Sequence, residues 1–270
     1  MVLDTRPSFA APAPPRHAAW RPRALDRFLT VMGELLITAG VLVGLFVVWQ
    51  LFYTDVQSER IQDAVLEEIP WYEPPAPAIQ DNGGGSTASG LFLAEGDKHY
   101  TPDGAPVAPT PAYGEVFATM YVPRWGTDYV KPIAQGTTRF DVLDRLGIGH
   151  YKDTVMPGQV GNFAVAGHRT TYGKPFTHIE QLEVGDAVVV QTEEAWFVYR
   201  VTDYEIVLPT HIESIAPNPY APGSEATEAM ITLTACHPRF SAAQRYVVHG
   251  TLEYWAPTGV GFPVELTEGV

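Results

Sequence analysis

The chain has 270 residues, of which 46% are hydrophobic, and this is enough apolar material for the core of one or two domains. Its formal net charge is −14, and residues 55–270 alone carry 12 basic and 28 acidic side chains, a formal −16. Nucleic acids and anionic lipid surfaces require clustered Lys and Arg, so this acidic bulk is a poor candidate for binding either of them.

The chain begins with a tail and an apolar segment. Residues 1–27 are rich in Ala, Pro and Arg without periodicity, which predicts a disordered tail. From Leu35 to Tyr53 only Thr38 and Gln50 are polar and no residue is charged. At about 1.5 Å per residue this stretch spans roughly 28 Å, and a buried core helix is rarely this long and uniform. We therefore expect residues 28–54 to be a transmembrane helix in a lipid bilayer.

The charges that flank this segment predict its orientation. Five arginines precede it, whereas the residues directly after it are mainly acidic. An excess of Arg keeps its own side in the cytoplasm, so the carboxyl-terminal bulk is expected outside the cell. No small-residue cleavage site is evident, and the helix is therefore expected to persist as an anchor at the cell membrane.

Residues 55–113 are predicted to form a short helix followed by a linker. Ile61, Val65 and Ile69 recur every four residues before Pro70, which is typical of a helix that ends there. Residues 70–113 then hold eight Pro and six Gly, a density that opposes regular structure. Such a linker either holds a domain away from the membrane or folds back over a groove, and the sequence leaves both open.

Residues 114–257 have the pattern of one β domain, and 258–270 are predicted to be a tail. Short segments rich in Val, Ile, Thr, Tyr and Phe alternate with Gly, Pro, Asn and Asp clusters. These predicted strands are Glu115–Val122, Gly161–Gly167, Asp186–Gln191, Trp196–Val207, Ala229–Ala235 and Gln244–Tyr254. Only Arg139–Leu146 and Phe176–Leu182 have a helical pattern. The fold class is therefore all-β, a closed or sandwiched sheet with one or two short helices.

The single cysteine, Cys236, is the strongest candidate for chemistry. It ends a predicted strand, and Arg239 and Arg245 follow it closely. A thiol is only a few per cent ionised at neutral pH and needs a neighbouring base or cation to act as a nucleophile. Free cysteines are also among the most buried residues, so an inert structural thiol is the alternative.

Of the histidines, His168 is the best partner for Cys236, because it follows a predicted strand whose end can meet the cysteine at one rim. His237 is next to the thiol, but consecutive strand residues point to opposite faces. His249 shares strand parity with Arg245 and is a weaker rival. The remaining histidines have no chemical neighbours in the sequence and are expected to be ordinary surface or core residues; they are His150, His178 and His211.

The remaining candidates concern charge and cofactors. Arg245 is expected either to form a surface ion pair or to donate hydrogen bonds to a developing oxyanion, whereas Arg239 lies in a turn and is expected to point to solvent. The sequence contains no CxxC, no HExxH and no phosphate-binding loop. We therefore expect no metal site and no cofactor.

Several of these segments together resemble the sortases, membrane-anchored cysteine transpeptidases of Gram-positive envelopes. The matching segments, in the family's order, are Leu146-Gly147-Ile148-Gly149-His150-Tyr151, Met156-Pro157-Gly158-Gln159, Ala166-Gly167-His168-Arg169 and Thr232-Leu233-Thr234-Ala235-Cys236. The resemblance covers about residues 114–255. Ala235 stands where the family usually has Thr, which removes a hydroxyl beside the thiol. The anchor and the His237-Pro238 pair are most similar to class E sortases of actinobacteria.

The resemblance implies a sortase-type barrel of about eight strands and a role for each candidate residue. Cys236 is the nucleophile that attacks the Thr–Gly bond of a carboxyl-terminal sorting signal on a secreted protein. His168 is the general acid and Arg245 stabilises the oxyanion. The resulting thioester passes to an amine of a peptidoglycan precursor. The signal is of the Leu-Pro-x-Thr-Gly or Leu-Ala-x-Thr-Gly kind, and class E members are associated with the second.

Two other functions remain as alternatives at this point. A non-enzymatic membrane-tethered β domain that binds envelope components would keep Cys236 buried and inert. A cysteine peptidase or an L,D-transpeptidase would act directly on peptidoglycan, but such transpeptidases usually carry Ser-x-Gly-Cys, and Thr234-Ala235-Cys236 does not fit that pattern.

Overall fold

The amino-terminal part of the chain contains one long helix. The computed structural model describes residues 24–72 and 92–267, and helix α1 extends over Ala24–Glu68. Its stretch Ala24–Trp49 has a mean hydropathy of 2.3 and is long and apolar enough to cross a bilayer. The chain divides into two compact units, Met1–Val48 and Trp49–Val270, so the second half of α1 belongs to the same unit as all the strands.

Helix α1 is longer on both sides than the expected transmembrane segment, residues 28–54. Residues 24–27 belong to the helix and not to a disordered tail, while residues 1–23 lie outside the described ranges. The predicted short helix after the apolar segment is the continuation of α1, because no Gly or Pro occurs between Gly44 and Pro70 to interrupt it. The helix ends at Glu68, two residues before Pro70, as the pattern predicts.

Eight strands form a closed barrel, which confirms the expected fold class. They are β1 (Val116–Tyr121), β2 (Val130–Gln135), β3 (Ile148–His150), β4 (Gly161–Gly167), β5 (Ala187–Gln191), β6 (Ala195–Val207), β7 (Ala229–His237) and β8 (Gln244–Pro257). Their order around the barrel is β1-β2-β3-β4-β7-β8-β6-β5. The pairs β2–β3 and β4–β7 are parallel and the other pairs are antiparallel.

Two of these strands were not predicted. In β2, Lys131 and Pro132 weaken the β pattern, although Ile133–Gln135 are buried. Strand β3 has only three residues, which is too short to carry an alternation. Both are recognised as strands only through the neighbours with which they pair.

Alternation along the strands divides the apolar side chains between two clusters. Phe197 of β6 points into the barrel with Phe163 and Leu233, whereas Trp196 and Val198 point outward. The outward-facing residues belong to a second cluster. Segments that flank the barrel cover this cluster and contribute Tyr72, Leu93, Phe262 and Leu266 to it. Both faces of the first part of β6, residues 195–199, are therefore buried, and the segments on either side of the barrel are part of the fold.

These flanking segments extend beyond the expected bounds of 114 and 257. Phe92 forms a parallel bridge with Phe262, and His99 forms an antiparallel bridge with Trp255. The carboxylate of Glu265, which is 4% exposed, accepts hydrogen bonds from Arg200 Nη2 at 2.8 Å and from the Tyr254 hydroxyl at 2.7 Å. Residues 92–113 and 258–267 are thus attached to the barrel, and residues 73–91 of the predicted linker lie outside the described ranges.

The short helices agree in part with the sequence. The predicted helix Arg139–Leu146 is present as a π-turn, Arg139–Leu143, followed by helix α2, Asp144–Leu146. The predicted helix Phe176–Leu182 is wrong, since only Ile179–Gln181 forms a 3₁₀ turn there. Phe176, Ile179 and Leu182 recur every third residue, and all three enter the barrel core. Four further 3₁₀ turns are Glu95–Asp97, Pro123–Trp125, Ile212–Ile215 and Val264–Thr267.

We expect Gly149→Ala to destabilise the barrel. A Cβ on Gly149 would lie 2.2 Å from the carbonyl oxygen of Gly136, a backbone atom that the pairing with His150 holds in place. The free energy of unfolding should fall by roughly 2–4 kcal/mol, measured by denaturant titration. Gly96→Ala is the control, because no heavy atom lies within 4 Å of its added Cβ. Equal stability of both variants would contradict this prediction.

We also expect His150 to make the fold sensitive to acid. Burial lowers the pKa of His150 to about 4. Between pH 6.5 and 4 the unfolded chain takes up a proton that the folded chain does not, so stability falls as the pH falls, by up to roughly 3 kcal/mol. The variant His150→Gln should show a flatter dependence of stability on pH, and an unchanged slope would contradict this prediction.

Candidate active site

The parallel pairing of β4 with β7 brings two of the predicted residues to one rim of the barrel. The pairing aligns Gly161 with Ala229 and continues as far as Ala166 with Thr234. Carried two residues further, the same alignment sets His168 beside Cys236. Both residues are half-buried at the point where their strands end.

A contact one residue beyond this pair supports the continued alignment. Arg169 follows His168 and His237 follows Cys236, and Arg169 Nη1 lies 2.9 Å from His237 Nδ1. The same Nη1 is 3.5 Å from the carbonyl oxygen of Cys236. Since consecutive strand residues point to opposite faces, Arg169 and His237 share one face and leave His168 and Cys236 on the other.

Arg245 joins this rim through the antiparallel pairing of β7 with β8. Cys236 is the direct cross-strand partner of Arg245, and partners of this kind place their side chains on the same face. Arg245 Nη1 donates to the carbonyl oxygens of Ala242 at 3.1 Å and Gln244 at 3.0 Å. These bonds hold the guanidinium against the turn between β7 and β8.

His168 has a carboxylate partner that the sequence did not indicate. Its Nε2 lies 2.6 Å from Asp144 Oδ1, and the two side chains are 17% and 9% exposed. The ring of Tyr172 is 5.3 Å away between centroids. Burial lowers the pKa of His168 below its usual range, while the hydrogen bond and the charge of Asp144 oppose that shift and Arg139 reinforces it. No spacing rule connects Asp144 to a histidine 24 positions later.

Arg169 is the second residue whose role the sequence did not reveal. Its side chain is only 2% exposed and forms an ion pair with Glu180. Its guanidinium also lies over the ring of Tyr246, 5.7 Å from the centroid. Because it contacts the backbone at Cys236 and the ring of His237, it fixes the end of β7. The one feature of the sequence that points to Arg169 is its position directly after His168, which places it on the opposite face of the strand.

The competing histidines have other partners or are exposed to solvent. His237 is bound by Arg169, and His249 is buried beside Thr232 Oγ1 at 2.9 Å. His150 is buried and contacts Gln135, so it is one of the expected core residues. His178 and His211 are exposed.

Arg239 does not contribute to this rim, and the described residues show no metal site. Arg239 is exposed, as expected, and its guanidinium binds the carbonyl and hydroxyl oxygens of Thr177. Within residues 24–72 and 92–267, no group of three or more His, Cys, Asp or Glu side chains is arranged to hold a metal ion. The chemistry available at the rim is therefore that of a thiol, an imidazole and a guanidinium.

A thiol beside an imidazole and opposite a guanidinium can perform acyl transfer. The thiolate supplies the nucleophile, the imidazole moves the proton, and the guanidinium stabilises negative charge on a carbonyl oxygen. Cys236 is half-buried, which does not agree with the alternative of a fully buried, inert thiol.

Comparison with known proteins identifies the family. The sortase domain family matches residues 120–253. The chain is 33% identical over 238 residues to Sortase SrtE1 of Streptomyces coelicolor, an alignment that covers 86% of this chain and 59% of that protein. It is 32% identical to Sortase SrtE2 of the same species, over 85% of this chain and 84% of that protein. Among solved structures, SrtA sortase from Actinomyces oris matches with a TM-score of 0.57 and 39% identity, covering 62% of this chain and 95% of that one.

The chain thus spans 59% of the length of SrtE1 but most of the length of SrtE2. The match to the family includes the strands that carry His168, Cys236 and Arg245. The closed barrel, the rim with its single thiol and these relatives agree with one another, and the chain belongs to the sortase family of transpeptidases.

Proposed function

We propose that this sortase is a membrane-anchored cysteine transpeptidase that cleaves the Thr–Gly bond of a sorting signal. The signal is of the Leu-Pro-x-Thr-Gly or Leu-Ala-x-Thr-Gly kind at the carboxyl end of a secreted protein. The protein is then transferred to an amine of a peptidoglycan precursor. The observation that carries this proposal is the strand register: Cys236 pairs directly with Arg245 on β8, and the β4–β7 register, carried two residues beyond its last pair, sets His168 beside Cys236.

In the first half of the reaction, the Cys236 thiolate adds to the carbonyl carbon of Thr. Arg245 donates hydrogen bonds to the oxyanion that forms, because a guanidinium carries permanent charge and several donors. The C–N bond to Gly then breaks, and the His168 imidazolium gives its proton to the departing amine. The product is a thioester between Cys236 and the Thr carbonyl, with neutral imidazole beside it.

In the second half, an amine of the acceptor adds to the thioester carbonyl. His168 accepts the proton of the attacking amine, and the Cys236 thiolate leaves. A new amide bond replaces the thioester, and the enzyme returns to its starting form. The balance requires no metal ion and no redox partner.

The scheme requires a thiolate and an imidazolium at the same time. With ordinary pKa values, such a pair coexists in only about 1% of molecules at pH 7. Burial lowers the pKa of His168, which reduces the protonated fraction of the imidazole. The hydrogen bond and the charge of Asp144 oppose this effect of burial.

We propose an anchor in the membrane and an extracellular barrel. The apolar stretch Ala24–Trp49 is able to span a bilayer, and the arginines before it favour a cytoplasmic amino terminus. This arrangement supplies the barrel with secreted proteins and peptidoglycan precursors on the outer side of the membrane.

Incubation with a sorting peptide should produce a thioester on Cys236. Intact-mass spectrometry of the full chain in detergent is expected to show an adduct of the acyl fragment with either signal, and the preferred signal should give more of it. The adduct should disappear in Cys236→Ala and be discharged by an added amine. If the wild-type chain forms no adduct and no product with either peptide, the proposed function is wrong.

Removal of the guanidinium should affect the chemical step. Arg245→Ala is expected to lower kcat/KM by roughly 100-fold or more, because a developing oxyanion loses a charged donor. Arg239→Ala is the matched control in the same turn, and its kcat/KM should change by less than about threefold because its guanidinium binds Thr177 instead. Equal losses in both variants would assign the effect to the turn and not to the oxyanion.

A further inference from the structure

The hydrogen bond between His168 and Asp144 has the properties of a functional contact. Asp144 Oδ1 lies 2.6 Å from His168 Nε2, slightly shorter than the usual length of about 2.7–2.9 Å for a charge-assisted N–H···O bond. The carboxylate is 9% exposed, so water neither screens it nor competes strongly for it. Asp144 belongs to helix α2 and not to β4 or β7, the two strands whose ends meet at the rim.

We propose that Asp144 is a positioning residue for His168: its carboxylate fixes the imidazole through Nε2 and stabilises the imidazolium that protonates the departing amine. This inference rests on the proposed function, in which His168 is the general acid. Asp144 does not touch the substrate or the reacting atoms. It acts through the ring that it holds.

The bond determines which ring nitrogen is used. A histidine that donates one N–H to a carboxylate keeps that nitrogen protonated, and the other nitrogen is then the one that exchanges a proton during the reaction. In His168 the bonded atom is Nε2, so Nδ1 serves the leaving amine and later the acceptor amine. Without Asp144 the ring is free to adopt either tautomer and to rotate about its χ2 angle.

The charges around the imidazole also favour this role. Arg139 comes from the preceding π-turn, and its Nε is 3.7 Å from the same Asp144 oxygen, but its side chain is 62% exposed. Tyr172 faces the ring from the loop after β4. Lys174, further along that loop, is paired with Asp55 at 2.9 Å. Asp144 is therefore the buried counter-charge of the imidazolium among the groups that face it.

The second half of α1 contacts Asp144 and the loop that follows His168. Ser58 Oγ donates to the carbonyl oxygen of Asp144 at 3.0 Å, and both residues are buried. The fully buried Gln62 donates through Nε2 to the carbonyl oxygen of Tyr172 at 3.3 Å, in the loop that follows His168. One helix thus braces the segment that carries Asp144 and the loop that follows His168.

Gln62 fits between these two segments with little spare room. An added Cβ on Gly147, which follows α2, would lie 3.1 Å from Gln62, and one on Gly173 would lie 2.8 Å from it. Asp55 Oδ1 accepts a hydrogen bond from the Gly173 backbone N–H at 3.4 Å, which attaches α1 to the same loop. The relative position of the carboxylate and the imidazole is therefore set by packing as well as by their own hydrogen bond.

The decisive experiment compares pH profiles of the full-length chain in detergent. The proteins are wild type, Asp144→Asn, the conservative Asp144→Glu, and Asp141→Asn as the control, since Asp141 is an exposed neighbour on the same turn. The readout is kcat/KM for a sorting peptide from pH 5 to 9. Asp144→Asn should lower kcat/KM at neutral pH roughly tenfold or more, Asp144→Glu should recover part of it, and Asp141→Asn should match wild type.

The shape of the profile separates this role from a merely structural one. The active form pairs a thiolate with an imidazolium, and loss of the carboxylate makes that imidazolium rarer near neutral pH. As the pH falls, the imidazole becomes protonated in a growing fraction of each variant, so the deficit of Asp144→Asn should narrow towards acidic pH. A deficit that is the same at every pH, or kcat/KM of Asp144→Asn within threefold of wild type throughout, would overturn the proposal.

A direct titration keeps the inference separate from the proposed function. In chains labelled with ¹³C-histidine, the NMR signal of His168 should titrate at a lower pH in Asp144→Asn than in wild type, and at an unchanged pH in Asp141→Asn. This measurement needs no substrate. An inactive wild type with the expected titration would reject the transpeptidase function alone, whereas an unshifted titration would reject the role of Asp144.

The bracing by α1 makes a further, smaller prediction. Ser58→Ala should lower kcat/KM in the same pH-dependent way but by less than Asp144→Asn, because it loosens only the backbone of Asp144. Gln57→Ala, an exposed neighbour on the helix, is the matched control and should behave as wild type. If Ser58→Ala and Gln57→Ala are indistinguishable, the helix does not contribute to the positioning of Asp144.

Discussion

The register between β4 and β7 is the constraint on which the rest of the site depends. These strands run parallel, so residues that are far apart in the sequence end at the same rim. A slip of one residue would turn His168 away from Cys236 and bring Arg169 beside the thiol. The buried Arg169, held by His237 and Glu180, fixes the register at the point where it matters. The strand pairing and the chemistry are therefore determined by the same contacts.

Much of the barrel follows from local patterns, and the parts that do not have identifiable reasons. The strand Gly161–Gly167 is predicted with its observed bounds, since six of its seven residues are small or apolar and turn-forming residues flank it. Strands β2 and β3 were not predicted, because Pro132 and a length of three residues hide the alternation. The attachment of residues 92–113 was missed as well, since it depends on outward-facing apolar residues of the barrel and not on the composition of the segment.

The candidate site divides in the same way. Cys236, His168 and Arg245 carry chemical signatures and strand ends that the sequence displays, and the pairing of the strands brings them to one rim. Asp144 and Arg169 display no such signature, because a lone carboxylate or guanidinium has the appearance of a solvated surface charge. Their burial comes from tertiary packing, in the case of Asp144 from a helix more than 80 positions earlier in the chain. No local pattern contains that information.

The single cysteine has a consequence for how the protein reaches its active form. Barrel closure joins strands that are distant in sequence, and folds with such distant contacts assemble slowly. With the barrel outside the cell, as proposed, the thiol is unprotected in an oxidising setting during that interval. Since Cys236 has no second cysteine to meet, the chain is unable to trap itself in a mispaired intrachain disulfide. Disulfide formation is then limited to small-molecule caps or bridges between chains, which an external reductant reverses without refolding the barrel.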